Sequence, residues 1–166
     1  MKNPDRNSFI EAVESFCGIA HFSNPPEDIE IHNIVREAFF CLIANITAVE
    51  VSLHKSFPIP REITADDYEK FLRNIKNLQF NDFFVVINPL DVEQEEQVGV
   101  TSLLTDFLYI YEDLFGGLML YESGHIEAAS YHWVSRYSSG WGRLVVQSLQ
   151  AVEEHRIASL NDWEII

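Results

Sequence analysis

Thr101-Ser102-Leu103-Leu104-Thr105-Asp106-Phe107-Leu108-Tyr109-Ile110-Tyr111-Glu112-Asp113-Leu114-Phe115-Gly116-Gly117-Leu118-Met119-Leu120-Tyr121 carries the strongest helical signal of the chain. At 100° per residue, Leu103, Leu104, Phe107, Ile110, Tyr111, Leu114 and Leu118 lie within one broad arc, which predicts a strong amphipathic helix from Thr101 to about Tyr121. Asp106 and Asp113, two turns apart, share a stripe on its polar side. Beyond it, Ser123-Gly124 turns the chain into a fifth helix reaching about Tyr137, with Ile126, Trp133, Val134 and Tyr137 on its apolar face. Ser138-Ser139-Gly140 interrupts that helix, and Gly142 lets the backbone bend or approach a neighbour closely. Leu144, Val145, Leu149 and Val152 then carry a sixth helix to about His155.

On the N-terminal side the signals are more varied. Phe83-Phe84-Val85-Val86-Ile87 is β-prone, short and closed by Asn88-Pro89. No pairing partner is obvious, so an extended packed strip is expected rather than a sheet. Asp91 to Gln97 is acidic and reads as a solvated linker or a helix start. Thr64 with Asp67 caps a third helix through about Leu78, pointing Tyr68, Phe71, Leu72 and Ile75 inward; the Pro58 and Pro60 region before it is a loop. Pro26 or Glu27 opens a second helix whose stripe runs Ile31, Ile34, Val35, Ala38, Leu42 and Val49, widened by Phe39 and Ile46. A stripe that wide faces several neighbours, as in a bundle. Ser8 with Glu11 has the form of a capping box opening the first helix, Ser8 to about Phe22. The expectation is therefore an all-α, single-domain helical bundle of about six helices over residues 1–166, with one short extended segment near residues 83–87.

Composition narrows the function classes. Acidic residues number 26 against 11 basic, a formal charge of −15, while 47% hydrophobic and 13% aromatic content supports a real core. Scattered basic residues and this charge disfavour nucleic acid and anionic membrane surfaces as partners. With no apolar N-terminal run and no span near ~20 apolar residues, a soluble cytoplasmic domain is expected. In that setting Cys17 and Cys41, without a CxxC, read as reduced core thiols.

Few constellations suggest chemistry. Glu11-x-x-Glu14 followed by Glu27-x-x-Glu30 is similar to the carboxylate pattern of all-α nucleotide pyrophosphatases, but the first pair points away from its helix's apolar face and the second suits a helix first turn. Solvated faces explain both. Cys17 and His21 stand one turn apart without a third ligand, more in keeping with ordinary core-edge residues than with a catalytic pair. His132 and Arg136, one turn apart, suit a phosphate or carboxylate, or simply an exposed polar stripe. Asp106 and Asp113 suit basic groups from a partner, or a structural ion pair with Arg136 or Arg143. Neither a cofactor motif nor a catalytic or metal motif appears.

Phe83-Phe84-Val85-Val86-Ile87-Asn88-Pro89, Ser102-Leu103-Leu104-Thr105-Asp106, Ile110-Tyr111-Glu112-Asp113-Leu114, Trp133 and Trp141-Gly142 together resemble the bacterial domain-of-unknown-function family 5063. The resemblance spans about residues 83–153. It implies a small all-α domain without an established activity. Where it implies His-Trp-Gly-x-His, this chain has Gly140-Trp141-Gly142-Arg143-Leu144, and Tyr109 stands where a second acid is common. A site built on those groups in relatives would be lost here.

Two functional expectations result. The first is a non-enzymatic protein-interaction or regulatory module, with a homodimer as a further option, offering an acidic and partly aromatic surface to a protein partner; the partner- or ligand-contact candidates are Asp106, Tyr109, Asp113, His132, Trp133, Arg136 and Trp141, the two tryptophans being most simply core anchors. The second is a small-molecule or enzymatic site between helices near Tyr109, His132 and Arg136, beside the two tryptophans.

Overall fold

The computed structural model describes residues 4–51, 57–76, 78, 81–86 and 98–161. Among them are six α-helices and a two-stranded antiparallel sheet: α1 Arg6–Gly18, α2 Asp28–Asn45, α3 Ala65–Ile75, β1 Asp82–Val86, β2 Val98–Ser102, α4 Leu103–Glu122, α5 Ile126–Ser139 and α6 Trp141–Asn161. The all-α bundle expected from the periodicity is the fold. None of the described helices is long and apolar enough to cross a membrane.

Local chemistry sets the helix ends. Thr64 caps α3 through the Asp67 backbone N–H, while the Asp67 carboxylate returns to the Thr64 N–H and hydroxyl, the reciprocal box its sequence predicts. That bonding, with Arg61 close by, holds the Asp67 carboxyl below its ordinary value. At α1 the expectation needs correcting. Asp5, not Ser8, accepts the first-turn amides, from Asn7 and Ser8, and Ser8 lies inside the helix. A carboxylate at the true N-cap outcompetes a hydroxyl one turn later, because it also meets the positive end of the helix dipole. Both α1 and α2 finish in short 3₁₀ turns, Ile19–His21 and Ile46–Ala48, so Val49 reaches the core from beyond the helix whose stripe it extends.

The core is aromatic. Phe16 sits 5.2 Å from Phe39, 5.5 Å from Phe71 and 6.0 Å from Phe107 between ring centroids, so one ring ties α1 to α2, α3 and α4. Tyr111 stacks on Phe71 at 4.2 Å, and burial pushes its phenol above its usual value. Asn74, fully buried on α3, donates to the carbonyls of Ile19 and Phe22 and so closes the end of the first helical segment. Trp133 on α5 donates its indole N–H to the Leu114 carbonyl, and Trp141 donates to the Trp133 carbonyl, both at 3.0 Å. The Trp133 indole lies directly over Gly117, where any Cβ would collide with it. Gly142 makes the close approach its sequence suggests, onto Tyr137.

Other expectations change. The extended segment does have a partner: β1 pairs with β2 in the register Asp82↔Ser102 through Val86↔Val98. Thr101 and Ser102 consequently belong to a strand, and α4 starts at Leu103 with Ser102 as its cap. Ile126 is exposed at the start of α5, and α6 continues six residues past His155 to Asn161. Cys17 is buried but Cys41 is exposed, on the outer side of α2. The Ile87–Gln97 stretch lies outside the described residues.

Candidate functional site

β2 runs straight into α4, and that junction fixes the site. Asn81, just before β1, accepts from the Leu103 N–H on its backbone carbonyl at 2.7 Å; its side-chain oxygen accepts from the Ser102 hydroxyl at 2.8 Å and the Leu104 N–H at 3.0 Å. One asparagine thus clamps the base of the hairpin to the first turn of α4. Asp106, one turn in, accepts from the Thr101 hydroxyl of β2 at 3.1 Å and, on its other oxygen, from Gln147 at 2.5 Å and Ser148 at 3.3 Å of α6. The hairpin, α4 and α6 meet on this one carboxylate. Burial outweighs its hydrogen bonds and pushes the Asp106 carboxyl above its ordinary value.

Above this buttress a cleft of about 880 Å³ opens between β1 and α6. Phe83, Phe84 and Val85 form one wall, and Val146, Gln150 and Ala151 belong to the other. Polar groups edge it: Ser138 from the end of α5, and Arg143, Gln147, Glu154 and His155 from α6. Phe84 is 78% exposed, Val146 53%, and Val100, paired with Phe84 across the hairpin, 65%, so apolar surface continues from the cleft onto the outer sheet face. His155 also meets the buried His32 of α2, their rings 5.3 Å apart. Beside them Arg36 of α2 pairs with Glu153 at 2.6 Å and Arg156 holds the same carboxylate, which fixes the outer side of α6.

None of the seven contact candidates, Asp106, Tyr109, Asp113, His132, Trp133, Arg136 and Trp141, lines this cleft, although Phe83–Val85 and Gly142 of the family resemblance and Arg143 do. Asp106 and Asp113 lie on the inner, not the polar, side of α4, 2% and 4% exposed. The helix is buried around most of its circumference, so periodicity alone could not tell a buried acid from a solvated one. Asp113 accepts from Arg136 Nε at 2.7 Å, the structural ion pair named as one alternative. Burial pushes the Asp113 carboxyl above its ordinary value even though Arg136 pulls the other way. His132 bonds through Nε2 to the Asp113 carbonyl at 3.0 Å, so that nitrogen carries the proton, and burial depresses the imidazole's basicity. His132, Arg136 and Asp113 are therefore brought together, as a seam between α4 and α5. Tyr109 is exposed on α4, while Trp133 and Trp141 are fully buried. Glu11, Glu14, Glu27 and Glu30 are all exposed; Cys17 is buried, its thiol raised by burial, while His21 is exposed. Among the described residues no group of three or more His, Cys, Asp or Glu is placed to hold a metal ion.

The fold and site thus define an all-α domain with a hairpin-walled cleft along its last helix. Residues 6–158 match the model of a domain of unknown function, DUF5063, and the chain belongs to that family. The match includes the N-terminal helices, beyond the stretch from residue 83 to 153 in which the resemblance is legible. The crystal structure of protein BF1032 from Bacteroides fragilis, a structural genomics target, is similar, with TM-score 0.68 and 14% identity over 90% of this chain and 92% of that one. At that identity the likeness concerns the fold. No curated protein matches the chain.

Proposed function

We propose that the domain is a non-enzymatic protein-interaction module whose binding surface is the cleft between β1 and α6. The observation that carries this reading is the continuity of the cleft with exposed Phe84, Val100 and Val146. A run of apolar side chains left in water beside a concave surface, on a chain carrying a charge of −15, is what a partner would cover. The polar edge of Arg143, Gln147, Glu154 and His155 supplies direction.

The test is affinity capture of the tagged protein beside a Val146→Asp variant. Val146 is half exposed on α6, so the variant keeps the fold. The expected result is a retained protein that the variant loses. Equal retention by both proteins would move the interface elsewhere.

A small-molecule reading of the same cleft is supported by its size, within the ~300–1,000 Å³ range of ligand pockets. A compound that raises the melting temperature of the wild type but not of Val146→Asp would favour it over a protein partner.

A further inference from the structure

Resting on the reading of this cleft as a protein-binding surface, we infer that its occupant is an extended segment of a basic partner protein, added as a third strand along the free edge of β1.

Register supplies the first argument. Antiparallel ladders alternate, each hydrogen-bonded pair being followed by one whose N–H and C=O point outward. The Leu103 N–H to Asn81 carbonyl bond fixes the phase: Asn81↔Leu103, Phe83↔Thr101 and Val85↔Gly99 are the bonded pairs. Asp82, Phe84 and Val86 therefore turn their N–H and C=O groups away from β2. Among the described residues the sheet has two strands, so that edge lacks a third.

Position supplies the second. Side chains alternate along a strand, yet three successive β1 residues, Phe83, Phe84 and Val85, line the cleft and no β2 residue does. That is the footprint of a cleft running along an edge rather than over one face of the sheet. A chain laid there gains backbone bonds at Phe84 and places every second side chain against Val146 and Ala151 of α6. Exposed apolar edges are templates for pairing; β1, Asp82–Val86, carries no lysine or proline, and its one charge, Asp82, stands at its end.

Charge selects the partner. A second copy of this chain would bring another −15 to the same edge, whereas a segment flanked by Lys or Arg is attracted by the charge of the chain as a whole, Glu154 and Arg143 on the cleft wall balancing one another.

The experiment selects short random peptides displayed on phage against the whole protein and follows the tightest synthetic peptide. Apolar residues at alternate positions with basic flanks are expected, with affinity falling as salt rises from about 0.1 to about 1 M. N-methylation of its backbone should weaken binding roughly tenfold at alternate positions and little at those between. Phe84→Leu should bind within about threefold of wild type, while Phe84→Pro, which removes an edge-facing N–H the hairpin does not use, should lose roughly tenfold. Peptides with helical spacing, insensitive to N-methylation but lost in Val146→Asp, would overturn strand addition and leave the cleft as a binding site. Peptides unaffected by Val146→Asp, or none selected, would overturn both. A dimer of the protein itself that Phe84→Pro dissociates, seen by sedimentation, would give the edge to a second copy and overturn the basic-peptide assignment.

Discussion

The α4–α5 seam and the α6–hairpin cleft treat their polar groups in opposite ways. In the seam, Asp113 engages Arg136 through its carboxylate and His132 through its carbonyl, and Trp133 closes over Gly117. Each chemically expressive side chain there is met by a side chain or a backbone carbonyl of the same molecule. At the cleft, Asp106 is engaged from below by Thr101, Gln147 and Ser148, while Phe84 and Val146 remain in water. The seam's residue types that suggest chemistry hold the domain together, and the surface left for a partner is largely apolar, with Phe83–Val85 from the family's own sequence pattern.

The largest effect belongs to the seam. Gly117→Ala forces a methyl group into the Trp133 indole and should lower stability by about 3 kcal/mol, read as a drop in melting temperature of roughly 10 °C. An unchanged melt would mean that α5 does not seat as closely on α4 as the geometry requires. Next comes removal of the buttress. Asp106→Ala leaves the Gln147 and Ser148 donors without their acceptor and should cost about 2 kcal/mol; Asp113→Ala should cost about 1 kcal/mol, because Arg136 is half exposed and regains water. The reverse order in chemical denaturation would invert the comparison between the two carboxylates.

A subtler effect is pH-dependent. The folded protein holds a proton on Asp106 more tightly than the unfolded chain does, because burial raises its folded value. Its contribution to stability therefore grows as pH falls through the folded value toward about pH 4 and is lost as pH rises. Asp106→Asn keeps the bonds, with its amide oxygen toward Gln147 and its NH₂ toward the Thr101 hydroxyl, and removes the charge. The variant should gain on wild type as melts move from about pH 5 to about pH 7. A difference independent of pH would show that Asp106 titrates alike in both states. The smallest stability effect is that of Val146→Asp, within about 0.5 kcal/mol, which is what makes it a clean probe of the cleft.

Much of the fold was legible because helical periodicity and caps are local. The Leu103–Leu118 arc, the Thr64–Asp67 box and the turn at Gly124 each follow from a few neighbouring residues. The hairpin was not, since β1 is recognisable only by its composition and its partner Val98–Ser102 is short, carries Gly99 and merges into a strong helix signal. Nor was the burial of Asp106 and Asp113, which depends on α5 and α6 covering the acidic stripe of α4. The ion pair with Arg136 was accessible from charge and spacing alone. The cleft was invisible for a different reason: Phe84 belongs to a segment that reads as an extended packed strip and Val146 to an ordinary helix, and only the tertiary arrangement leaves them uncovered.

The most direct measurement is backbone amide chemical-shift mapping of the protein with its tightest selected peptide. The largest shifts are expected at Phe83–Val85 and along α6 from Val146 to His155, with little change at Asp113, His132 and Arg136. Shifts centred on Tyr109 and the α4–α5 seam, with β1 silent, would contradict that expectation.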